Sequence, residues 1–106
     1  MIIEDKAGLK DQIIEKLKTV FDPEIPVDVY ELGLIYELYT YEDGVVKVVM
    51  TLTAPACPVA DQILRDVQQK LSEIEGVKEA RVEITFDPPW DRDMMSEEAK
   101  LELGFF

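Results

Sequence analysis

The feature that most constrains this chain is the spacing of its apolar residues, which switches repeatedly between two periods. Leu9, Ile13, Leu17 and Val20 recur at helical intervals with charged residues between them, and Ile14 and Phe21 widen the stripe. This spacing predicts an amphipathic helix over residues 7–20. It ends ahead of Pro23, because proline disfavours helical geometry at the residue before it. Residues 34–41 are rich in aromatic and branched side chains and meet residues 45–53 across Glu42-Asp43-Gly44, where Asp-Gly is a hairpin signal. In the second of these strands Val46, Val48, Met50 and Leu52 alternate with Lys47, Val49, Thr51 and Thr53, so Thr51 and Thr53 share one face.

The helical period then returns. Pro58 suits the first position of a second helix whose Val59, Ile63, Val67, Leu71 and Ile74 form an apolar stripe, with Gly76 as its stop. Ala80, Val82, Ile84 and Phe86 alternate with Arg81, Glu83 and Thr85 as a third strand, which ends at Asp87-Pro88-Pro89-Trp90. Ser96 as N-cap, Glu97 and Glu98 in the first turn and Gly104 at the end mark a short C-terminal helix. The order α-β-β-α-β plus a short helix predicts an α+β two-layer sandwich, with helices packed on one face of a three-stranded sheet. Its 106 residues suit a single domain spanning 1–106.

Composition narrows the function. With 23 acidic against 11 basic residues the formal net charge is -12, which repels phosphate backbones and anionic membrane surfaces, so neither nucleic acid nor membrane is expected as a partner. The start, Met1-Ile2-Ile3-Glu4-Asp5, lacks the basic and apolar regions of a signal peptide, and a cytoplasmic location is expected. One cysteine excludes an intramolecular disulfide and fits a reducing compartment. The chain has no histidine, which removes Cys-His and Ser-His-Asp nucleophiles and every His-containing metal site within one monomer.

Cys57 is therefore the chemically competent residue. It precedes a predicted helix whose first N–H groups favour a thiolate, while Asp61 and the overall charge oppose ionisation. Pro55 and Pro58 bracket it and stiffen the turn. A lone cysteine is otherwise a small buried hydrophobe. Thr51 and Thr53 offer hydroxyls near this turn, although threonine is also simply a good strand former. Asp22 and Glu24, held by Pro23, offer two oxygen ligands or a proton acceptor, against the ordinary reading of an exposed acidic turn. Trp90, after Pro88 and Pro89, is either a partner anchor or a cap on the core.

These pieces, in order, resemble the signature series of the SufT/PaaD-like iron-sulfur cluster assembly family. They are Asp22-Pro23-Glu24-Ile25-Pro26-Val27, Leu32-Gly33-Leu34-Ile35-Tyr36, Thr51-Leu52-Thr53 with Cys57-Pro58, Asp87-Pro88-Pro89-Trp90, and the tail from Met95-Ser96 to Leu103-Gly104. The resemblance runs over nearly the whole chain. It implies a role in assembling iron-sulfur clusters or delivering them to apo-proteins, with the cysteine as the functional residue. The implied partners are iron-sulfur assembly proteins, a P-loop ATPase that carries clusters, and apo-protein clients. The chain has no GxxxxGK[ST] loop of its own, and it lacks the cysteine-rich C-terminal segment of the members associated with phenylacetate oxidation.

Ligand chemistry restricts that role. Ordinary clusters take about four protein thiolates, and one monomer offers one. The expectation is transient ligation of iron or a cluster by Cys57, alone or as a homodimer sharing the cargo, with nothing tightly bound. The competing expectation is a non-catalytic adaptor that bridges assembly machinery and clients and does not need the thiol. A thiol enzyme using Cys57 with Asp22 or Glu24 as base ranks below both, because an ordinary carboxylate is too weak a base for a thiol.

Overall fold

The computed structural model describes residues 2–22, 25–53 and 60–104. Their elements are β1 (Ile2–Asp5), α1 (Lys10–Leu17), β2 (Ile35–Thr40), β3 (Val45–Met50), α2 (Ala60–Ser72), β4 (Glu79–Ile84), a 3-10 turn (Arg92–Met94) and α3 (Glu97–Leu103). The sheet has four strands in the order β1-β2-β3-β4, not the three expected. The added strand is β1, which precedes the first helix. Its four side chains are exposed and lack an alternating pattern, so its place depends on backbone pairing with a segment more than thirty residues away.

Topology follows from the pairing. β1 runs parallel to β2 and β3 runs parallel to β4, and each parallel pair is joined through a helix, as the length of a parallel crossover requires. The Asp-Gly turn joins the two halves as an antiparallel hairpin, β2 against β3. Gly44 in that turn has φ 90°, and a Cβ there would press on the carbonyl of Gly76 and the side chain of Lys78. The helices cover one face of the sheet. α1 packs against α2, and α2 against β4.

Ile13 and Leu17 of α1 and Ile63, Val67 and Leu71 of α2 meet Leu38, Val46, Val48 and Met50 of the central strands in one apolar cluster. Element ends differ from expectation for local reasons. α1 starts at Lys10, where the Asp5 carboxylate accepts hydrogen bonds from the N–H groups of Leu9 (2.9 Å) and Lys10 (3.1 Å). β3 ends at Met50, so Thr51 and Thr53 lie beyond the strand. α2 ends at Ser72, and Gly76 (φ 96°) serves the turn into β4 rather than the helix stop. In α3 both cap residues act as expected: Ser96 Oγ accepts from Ala99 N at 3.1 Å and Gly104 is left-handed.

Candidate functional site

The loop between α1 and β2 is held by backbone bonds rather than by regular structure. Asp22 N donates to Val27 O (3.3 Å), Val29 N to Val20 O (2.9 Å), Leu34 N to Val29 O (3.1 Å) and Thr51 N to Leu34 O (2.8 Å). This ladder stitches the Asp22 segment to the start of β2 and to the exit of β3. Asp22 is 4% exposed, so the reading of it as an exposed acidic turn fails; its Oδ1 accepts from Ile25 N at 3.2 Å. The neighbouring Asp28 carboxyl lies above the usual carboxylate range because burial penalises its charge, an effect that the Glu31 amide, donating at 3.0 Å, only partly offsets.

Thr51 is completely buried, and its Oγ1 is the one buried side-chain polar atom without a hydrogen-bond partner among the described residues. Thr53 is half-buried. Cys57 and Glu24 lie outside the described residues, as do the flanking Pro55 and Pro58. Among the described residues no three His, Cys, Asp or Glu side chains are grouped to hold a metal ion.

Trp90 is half-buried against the apolar cluster and donates from Nε1 to Leu32 O at 2.7 Å. Pro88 is exposed, and its carbonyl accepts a 2.8 Å hydrogen bond from the phenol of Tyr36. Tyr36 was not singled out by sequence reasoning, although it closes one of the recognised motifs. The register between β2 and β3 shifts between Ile35 and Glu37, so Tyr36 is the extra residue of a bulge, a device that redirects a side chain out of the pleat. Its oxygen also lies 3.5 Å from Met94 Sδ. Burial raises the phenol above its ordinary value, and the nearby Thr51 hydroxyl works against that rise. Tyr36 thus spans from the buried hydroxyl of Thr51 to the Pro88 segment. A sequence signal for it existed in Gly33, three residues earlier. Gly33 has φ 78°, and a Cβ there would fall 2.1 Å from Met94 O, so only glycine lets the 3-10 turn close over this corner.

Three comparisons with known proteins bear on this arrangement. A family model described as iron-sulfur cluster assembly protein matches residues 10–84. A protein of Porphyromonas gingivalis called Fe-S protein maturation auxiliary factor is 56% identical over 96 residues, 91% of each chain. The Fe-S protein maturation auxiliary factor SufT of Staphylococcus aureus is 44% identical over 85 residues, covering 80% of this chain and 97% of that one. A crystal structure of a domain of unknown function from Bacillus anthracis superposes with a TM-score of 0.87 at 36% identity, covering 93% of this chain and 94% of the other. The α+β architecture read from the sequence is thus the architecture of a solved relative.

Proposed function

Because this chain belongs to the iron-sulfur cluster assembly protein family, we propose that it is an auxiliary factor in building iron-sulfur clusters or delivering them to apo-proteins, with Cys57 ligating the cargo during handover. The observation that carries this reading is the family match over residues 10–84, a span that contains the only cysteine of the chain. Chemistry sets the style of the role. One thiolate per chain is far short of the four that hold an ordinary cluster firmly, and carboxylates or hydroxyls are hard ligands that hold iron-sulfur cargo poorly. Incomplete ligation favours release to a thiolate-rich acceptor. Two chains sharing one cargo would double the thiolates without making the hold permanent.

The other candidate residues take supporting parts. Thr51 brings a desolvated hydroxyl with spare bonding capacity, Asp22 brings a shielded carboxylate, and Tyr36 ties the corner to Pro88. Assembly proteins and apo-protein clients are the partners, with a P-loop cluster carrier as the supplying or receiving ATPase and the cytoplasm as the compartment. No helix among the described residues is long and apolar enough to cross a membrane.

Anaerobic reconstitution with ferrous iron and sulfide tests the ligand assignment. The wild-type chain is expected to acquire visible charge-transfer absorption and acid-labile sulfide, and Cys57→Ser to lose most of both. Equal uptake by the two forms would remove the thiol from the ligand set.

A further inference from the structure

Beside Tyr36 lies an open groove of about 620 Å³. Pairing between β1 and β2 is described from Ile2 opposite Glu37 to Asp5 opposite Thr40, and the groove opens at the Ile2 end of that pairing. Ile2, Ile35, Pro88 and Met94 give it apolar walls, and Ile2 is 56% exposed.

Among the described residues its charges are of one sign: Glu31, Glu37 and Asp87 line the groove and no lysine or arginine does. Glu31 is partly offset by Lys18 Nζ at 3.6 Å, outside the lining. Glu37 accepts a hydrogen bond from the Tyr39 phenol, whose pKa is pushed up to about 12 by that bond. Asp87 is exposed. With a chain charge of -12 behind them, these groups attract a cationic partner and repel an acidic one.

We propose that this groove is a docking site for a segment of a partner protein in which lysine or arginine flanks an apolar side chain. The apolar side chain enters between Ile2, Ile35, Pro88 and Met94, and the flanking cations face Glu37 and Asp87. The inference concerns partner capture and does not depend on Cys57.

The test is a titration of an acetylated, amidated hexapeptide of alternating lysine and leucine into the full, nitrogen-15-labelled chain, followed by amide shifts at low and at physiological salt. Shifts are expected to centre on Gly33, Glu37 and Ser96. Replacing leucine by serine in the peptide is expected to weaken binding by about tenfold or more, the loss of one buried leucine contact. Glu37→Lys combined with Asp87→Lys is expected to weaken it about tenfold, whereas the equal charge change Glu42→Lys with Glu75→Lys, away from the groove, alters it by no more than about twofold. Absence of binding, shifts scattered over the acidic surface, or equal weakening by both charge-reversal pairs would overturn the proposal.

Discussion

At the scale of one residue, the buried Thr51 hydroxyl is a cost that packing alone does not explain. A hydroxyl buried without a partner destabilises a fold by roughly 1–3 kcal/mol, and an isosteric methyl in its place removes that cost. Thr51→Val is therefore expected to raise stability by about 1 kcal/mol in urea unfolding. The same substitution is expected to lower iron and sulfide uptake if the hydroxyl serves the cargo. Lower stability in the valine variant would mean that the hydroxyl is already satisfied in the fold. Asp22 makes a related point: a side chain read from Asp22-Pro23-Glu24 as one of two exposed carboxylates is nearly sealed from solvent. Its burial goes with the bonds from Asp22 N to Val27 O and from Val29 N to Val20 O, which no local pattern announces.

At the scale of elements, Asp5 joins three of them. Its carboxylate caps the start of α1 and accepts from Thr40 Oγ1 at 2.6 Å, tying β1 and α1 to the end of β2. Burial alone would raise its pKa; the Thr40 hydroxyl and the amides of Lys10 and Leu9 outweigh it and hold the group below 3.8. A depressed carboxylate contributes stability that is complete above its unfolded value and disappears as pH falls through its folded value. Asp5→Ala is accordingly expected to cost about 1 kcal/mol at neutral pH. The gap to wild type should close on acidification below 3.8, as followed by denaturation at several pH values. A gap that stays constant with pH would assign the loss to packing instead of charge.

The same elements show what the sequence made legible. Helices and strands whose burial is periodic, such as the Ile13 and Leu17 stripe or Val46 and Val48, were readable because one face of each meets the core. β1 was not, since its residues bury no side-chain face and only pairing with β2 makes them a strand. The ends of β3 and α2 were misplaced by two to four residues because Leu52 and Ile74 remain buried after regular structure has stopped. Of the candidate site, the residue types were legible and their company was not. Tyr36 became visible only once the bulge between Ile35 and Glu37 turned it toward Pro88.

At the scale of the whole molecule, acidity, a single thiol and an open groove are the properties on which the proposed handover rests. The charge of -12 discourages nucleic acid and favours cationic segments of partners, while one cysteine limits the grip on any cluster. These properties belong to delivery rather than to storage. The most direct measurement is the rate of cluster appearance in an apo-ferredoxin when reconstituted wild-type chain, or Cys57→Ser treated identically, is supplied as donor under anaerobic conditions. The account predicts transfer from the wild type and transfer from the serine variant no faster than from free iron and sulfide. Equal transfer by both would contradict a thiolate handover and leave only the protein-docking role.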